Sequence, residues 1–343
     1  MDYPILFEPL YKDYIWGGRK LAQLGKKLPG GIVAESWEIA CHPAGTGIIA
    51  NGDFSGMGLD RLLEIRGPEV LGSIVYSHSH GRFPLLIKLI DANGDLSVQV
   101  HPDDNYARTN ENGELGKSEM WYIVDAEPGS KLVSGVKPGV TREMFQKAAA
   151  DGTISSCLGY IDVKPGDCFD IPAGHVHAIG KGSLICEVQQ NSNTTYRVYD
   201  YDRTDQSGKK RQLHMEKALD VIDFDSRGGN CKGLEISTKT CNRTYLKANK
   251  YFAAEHIELN GSVVEDTLGE RFHCLTVLSG SIEINGTEVP GGHSCLIPAS
   301  AGSYEVRGTA RIIKSYVPDI EKDIIKPLSE AGFSMDEIAA VTG

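Results

Sequence analysis

The sequence has no long apolar run, no paired-cysteine motif and no extended basic block, and each absence closes off a class of protein. Nothing approaches the roughly 20 consecutive apolar residues of a membrane span. The start, Met1-Asp2-Tyr3-Pro4, lacks the basic segment and apolar stretch of a secretory leader, so a cytoplasmic protein with no membrane partner is expected. The eight cysteines (Cys41, Cys157, Cys168, Cys186, Cys231, Cys241, Cys274, Cys295) are scattered singly. That distribution fits reduced, mostly buried thiols better than a disulfide framework or a thiolate zinc cage. Lysine and arginine number 35 against 46 acidic residues, and a net charge of −11 repels a phosphate backbone. Nucleic acid is therefore not an expected partner. The densest basic run, Lys209-Lys210-Arg211, follows Asp205-Gln206-Ser207-Gly208 and reads as a solvated loop. Long helical patterns are also scarce, whereas 39 glycines favour strands and turns, so the expected class is mainly β.

What is present is enough chain for about two domains, at roughly 100–200 residues each. Ala34-Glu35-Ser36-Trp37-Glu38-Ile39-Ala40 alternates like a strand that shows Glu35 and Trp37 on one side, and Pro84 to Ile90 is an apolar run with Lys88 inside it. Leu59 to Ile65 reads as a short amphipathic helix closed by Gly67. Thr141 to Ala150 reads as a second helix, with Thr141 as its N-cap and Met144, Phe145 and Ala148 on one face. Val289 to Tyr304 echoes Lys164 to His177 in its turn, its strand and its Ile-Pro-Ala step, but Tyr304 lies one residue beyond the place of His177. The repeat keeps a scaffold and loses a histidine. Near the end, Ser334-x-x-Glu337 is a capping box ahead of Ile338 and Val341.

The chemistry concentrates around Leu96-Ser97-Val98-Gln99-Val100-His101-Pro102. Strand alternation sends Gln99 and His101 to the same side, and Pro102 ends the run. Glu119 opens the strand Glu119 to Val124, and a Pro-x-Gly turn at Pro172 to Gly174 delivers His175 and His177. Imidazoles with one carboxylate and one amide oxygen suit a borderline divalent ion, zinc first among them, and Gln99, His101, Glu119 and His177 are the chosen set, with His175 as the local competitor.

At these residues the chain resembles type I mannose-6-phosphate isomerases of the compact bacterial form. The resemblance is carried by Gln99-Val100-His101-Pro102, Lys117-Ser118-Glu119-Met120, Ile171-Pro172-Ala173-Gly174-His175-Val176-His177-Ala178 and Gln190-Asn191-Ser192-Asn193-Thr194-Thr195-Tyr196-Arg197, and it runs from about residue 5 to 318. It implies two cupin (jelly-roll) barrels with a few short helices: a catalytic metal-binding domain over 1–230, a second metal-free barrel over 231–318, and a helical tail over 319–343. It implies interconversion of mannose 6-phosphate and fructose 6-phosphate through a cis-enediol(ate), with one Zn2+ per chain and a small phosphorylated sugar as the partner. It selects His177 over His175 and assigns ligand roles to Gln99, His101, Glu119 and His177 and an active-site role to Arg197.

A proton shift between C2 and C1 needs a base and positive charge near oxygens that become negative. Arginine stays charged and is a poor base, so Arg197 is assigned to charge stabilisation. The base is not fixed by these patterns: Lys117, two residues before Glu119 and on its face, is one candidate, with binding of a substrate oxygen as its alternative role, and Glu35, Glu187 and Asp200 are the others. Lys88, Ser118, Glu35 and Arg203 are the candidate substrate-binding residues. The rival readings are a non-catalytic sugar-binding or regulatory cupin and a cupin oxygenase, which Gln99 fits poorly.

Overall fold

Residues 1–204, 208–226 and 228–343 are described by the computed structural model, so part of the polar loop ahead of Lys209 lies outside the described residues. Alternation along the chain builds three large antiparallel sheets. A seven-stranded sheet runs in the order Gly229–Cys231, Cys168–Ile171, Glu119–Ala126, Ser183–Gln190, Leu85–Ala92, Glu35–Ile39, Leu10–Lys12. A five-stranded sheet runs Leu158–Asp162, Lys131–Val136, His177–Ile179, Val98–Val100, Tyr196–Tyr199. One apolar cluster draws Ile90, Trp121, Phe169 and Ile185 from the first sheet and Leu132 and Ile179 from the second, so the two are opposite walls of one sandwich. Every residue of Leu85–Ala92 and of Ser183–Gln190 is buried. These central strands are covered on both faces, which is why 84–90 reads as an apolar run interrupted only by Lys88.

The third sheet belongs mainly to the C-terminal half, from Leu234–Ser237 to Ser303–Tyr316, but it also takes in Ile5–Glu8, which pairs with Ser294–Ile297. Inside it, Tyr304 meets His273 Nδ1 at 2.8 Å. The Lys314 ammonium donates to Glu265 at 2.6 Å, and Arg243 pairs with both Glu255 and Glu265. Polar groups thus satisfy one another in the interior of this half.

The helices are short, and the protein is mainly β. Thr141 caps the helix Arg142–Ala150 by accepting from the Met144 N–H, and Phe145 and Ala148 are buried; Met144, expected on the same face, is 52% exposed. Gly67 does not end the first helix. The helical run Leu59–Leu71 bends at Arg66 and continues through Pro68, because Leu62, Leu63, Val70 and Leu71 all reach the core. The capping box at Ser334 and Glu337 forms as expected and starts the helix Met335–Thr342. Together with the helical segments Ile320–Ile325 and Lys326–Glu330 before it, this helix places Ile324, Leu328, Ile338 and Val341 against Tyr245, Ala248, Ala253 and Tyr316, so the tail covers one face of the C-terminal sheet. Among the described residues no helix is long and apolar enough to cross a membrane.

Candidate metal centre and sugar pocket

Strand register assembles the site in two facing rows. In the five-stranded sheet Gln99 lies directly between His177 and Arg197 on its neighbours. In the seven-stranded sheet Glu187 lies between Trp121 and Lys88, and Lys88 in turn lies opposite Trp37. The rows are held on opposite walls because Val98 and Val100 send their side chains the other way, into a separate apolar cluster. Between the rows is a cavity of about 270 Å³ lined by Tyr14, Trp16, Glu35, Lys88, Gln99, Lys117, Trp121, Glu187, Arg197 and Arg211, among others.

Behind its lining residues Gln99 and Lys117, His101, Glu119 and His177 are buried, and their donor atoms lie within 4.8 Å of one another. The two Nε2 atoms are 3.1 Å apart, and the Glu119 oxygens lie 3.3 Å from His177 Nε2 and 3.6 Å from His101 Nε2. Each Nδ1 faces a backbone carbonyl: His101 that of Thr194 at 2.8 Å, His177 that of His175 at 2.8 Å. A carbonyl only accepts, so each Nδ1 carries the proton and each Nε2 presents a bare lone pair to the cluster. Burial pushes both imidazoles well below their ordinary pKa, His177 to about 3, and keeps them neutral. Two lone pairs aimed at each other, beside a carboxylate whose Oε1 is buried without a hydrogen-bond donor, are a donor set that fits a divalent cation.

Lys117 lies against this set, its ammonium 2.7 Å from Glu119 Oε2 and 3.0 Å from His101 Nε2. Burial, followed by the Glu187 charge, raises the Glu119 pKa against the pull of Lys117. Burial would raise Glu187 as well, but Lys88 and Lys117 overcome it and hold that carboxylate ionised. Lys88 is locked 3.1 Å from Glu187 and 3.8 Å from Glu35, and the Trp121 and Trp37 indoles donate to the same two carboxylates at 2.8 Å and 2.7 Å. Gln99 Nε2 is 3.3 Å from His177 Nε2. Arg197 donates to Ser97 Oγ at 3.2 Å and to the Gln212 carbonyl at 2.9 Å.

His175 is not in the cluster. Its ring lies between Ser134 Oγ at 3.0 Å and Ser226 Oγ at 2.9 Å. Residues 172–176 form a turn ahead of the strand His177–Ile179, so strand alternation does not put the two histidines on one face. Ser118 and Arg203 also fall outside the cavity lining. Ser118 alternates away from Lys117 and Glu119, and its hydroxyl accepts from the Ala173 N–H. Arg203 is spent on Asp200 and the Asp95 carbonyl. Asp200, a candidate base, is held by Arg203 and Arg211. Arg211 is the residue that reading the run 209–211 as a solvated loop overlooked. Lys210 does face solvent, but Arg211 turns inward to Asp200 at 2.8 Å and reaches the cavity wall.

Comparison with known proteins gives the family. Residues 5–125 match the family model described as phosphomannose isomerase type I, catalytic domain, and residues 242–317 match that of the mannose-6-phosphate isomerase cupin domain. The chain is 38% identical over 324 residues to the probable mannose-6-phosphate isomerase GmuF of Bacillus subtilis, spanning 92% of this chain and 100% of that one. It is 37% identical over 321 residues to the mannose-6-phosphate isomerase of Streptococcus mutans, spanning 92% and 99%. The crystal structure of the mannose 6-phosphate isomerase from Bacillus subtilis superposes with a TM-score of 0.82 at 34% identity, covering 91% of this chain and 99% of that chain. With relatives this similar along nearly their whole length and a cupin domain in its C-terminal half, the chain belongs to the type I phosphomannose isomerase family.

Proposed function

We propose that the protein interconverts mannose 6-phosphate and fructose 6-phosphate in the cytoplasm, with one zinc ion held by His101, Glu119 and His177 and the Gln99 amide, turned to offer its oxygen, as fourth donor. The observation that carries this reading is the pair of neutral, buried imidazoles whose Nε2 lone pairs converge beside Glu119, in contact with Gln99 and Lys117 at the edge of a cavity also walled by Lys88, Arg197 and Arg211. The domain division at 230/231 belongs to the same proposal, with Ile5–Glu8 as a strand lent to the C-terminal sheet.

When bound, the ion supplies positive charge to oxygens that become negative as the enediolate forms. The chain's own residues do the rest. Arg197 is drawn below its ordinary pKa by burial and by Arg211, yet from so high a starting value that it stays charged, and its guanidinium is oriented by Ser97 and the Gln212 carbonyl to stabilise the same developing charge. Lys117 holds a proton at Nζ between Glu119 and the cavity and passes it to or from a substrate hydroxyl. Arg211, at the cavity wall, provides a cation for the anionic phosphate, and Lys88 neutralises Glu187 and Glu35 so that they do not repel it. Trp16 and Trp121 give the sugar ring apolar walls.

The test is a coupled assay that follows fructose 6-phosphate formed from mannose 6-phosphate, before and after chelation. Turnover that chelator abolishes and zinc restores is expected. A folded, metal-replete sample that binds the sugar phosphate without turnover would instead establish a sugar-binding cupin.

A further inference from the structure

Away from the pocket, two cysteines face each other across the outermost strand pair of the seven-stranded sheet. The ladder between Cys168–Ile171 and Gly229–Cys231 sets Cys168 directly opposite Cys231. Residues opposed in an antiparallel pair have Cα atoms about 4.5–5.5 Å apart and side chains on the same face, which falls within the span a disulfide bridges. Both side chains pack on the same apolar cluster, and the two thiols are close enough to interact directly. Both are free; Cys168 is buried, while Cys231, on the edge strand, is partly exposed. None of the other six cysteines is set opposite a second cysteine in the strand pairings of the described residues.

We propose that Cys168 and Cys231 form a reversible oxidation site that takes hydrogen peroxide as its oxidant. The partly exposed Cys231 sulfur attacks one peroxide oxygen as its thiolate; the O–O bond breaks, giving the Cys231 sulfenic acid and hydroxide, which takes up the proton released by the thiol and leaves as water. The Cys168 sulfur then attacks the sulfenic sulfur, the S–O bond breaks, and the departing hydroxide takes the Cys168 proton and leaves as a second water. Two thiols are oxidised and one peroxide is reduced to two waters.

The bond would fasten a strap that already lies tightly over the turn leading into His177. A Cβ on Gly228 would meet Pro172 and His175 at 2.8–2.9 Å, and Ser226 contacts His175 Nδ1 at 2.9 Å. The His175 carbonyl in turn receives the His177 ring. Oxidation therefore ties the connection between the two halves of the chain to the strand that leads into the site. It does so without consuming any residue assigned to the pocket.

The experiment oxidises the full-length protein with hydrogen peroxide, or with diamide as a faster thiol oxidant, then counts free thiols in denaturant and maps disulfides under non-reducing conditions. Expected are a loss of two of the eight thiols, a cross-link between Cys168 and Cys231, a raised thermal midpoint, and return of both thiols and midpoint with dithiothreitol. Cys231→Ser and Cys168→Ser should each abolish the cross-link and the rise in midpoint, and Cys157→Ser should keep both. Retention of all eight thiols, a cross-link between other cysteines, or an unchanged rise in Cys231→Ser would overturn the proposal. If Cys168→Ser does not fold, the Cys231→Ser and wild-type maps decide the matter.

Discussion

Removing the Arg197 guanidinium is the perturbation whose consequences can be worked furthest. Its hydrogen bonds go to two neutral oxygens, Ser97 Oγ and the Gln212 carbonyl, so the charge at the cavity wall is left for substrate and no buried carboxylate is stranded when it is removed. The stability cost of Arg197→Ala is that of two neutral hydrogen bonds on a half-buried side chain, about 1–2 kcal/mol. The catalytic cost is larger. One preorganised donor on a developing oxyanion is worth roughly 2.7–4 kcal/mol, so kcat should fall about 10²–10³-fold. Zinc content should not change, because Arg197 touches none of His101, Glu119 or His177. Arg197→Lys, which keeps the charge and loses the fork, should recover part of the rate. The assay is steady-state fructose 6-phosphate formation on samples whose metal content has been measured. A near-normal kcat with a raised KM would show that Arg197 only binds the phosphate, and loss of metal would show that it supports the centre.

Ile338→Ala should lower stability by about 2–4 kcal/mol, read by urea denaturation, because a fully buried side chain leaves a cavity between the tail and the C-terminal sheet. Turnover below the unfolding range should stay unchanged, and a lost rate would tie the tail to catalysis. In the C-terminal half, burial would raise the Glu265 pKa, but Lys314 and Arg243 reverse it and hold it near 2. A carboxylate depressed in the folded state contributes stability that is complete above its unfolded value of about 4.5 and is lost as pH falls towards the folded value. Wild-type unfolding free energy should therefore fall between about pH 5 and pH 3 more steeply than that of Glu265→Gln, which should be the less stable of the two at neutral pH because Lys314 and Arg243 lose a buried partner. Parallel pH profiles would contradict that assignment.

Alternation and turn chemistry made much of this legible before any coordinates. Gln99 lies on the short strand Val98–Val100 and His101 immediately after it, and two-residue periodicity carried one step past the strand end is enough to pair them. The capping box at Ser334 is a local motif and formed as read. Alternation also held the information that Ser118 turns away from Lys117 and Glu119, which a search for phosphate ligands among nearby polar residues passed over. What local patterns could not carry was set by distant partners. Arg211 sits in a basic run whose other members face solvent, and only its pairing with Asp200, eleven residues back, turns it inward. The same holds for Lys88, read as an oddity in an apolar run. Its ammonium is matched by Glu187 from the adjacent strand, a contact ninety-nine residues away in sequence. His175 and His177 could not be separated by spacing because the strand starts only at His177, and strand starts are among the least legible boundaries in a sequence.

Elemental analysis of three purified proteins tests most directly whether His101, Glu119 and His177 hold a metal ion. Wild type and His175→Ala should each carry about one equivalent of zinc per chain, since the His175 carbonyl that orients His177 belongs to the backbone and survives the substitution. His177→Ala should carry almost none while retaining its fold by circular dichroism. Full zinc occupancy in a folded His177→Ala protein would contradict the site as described.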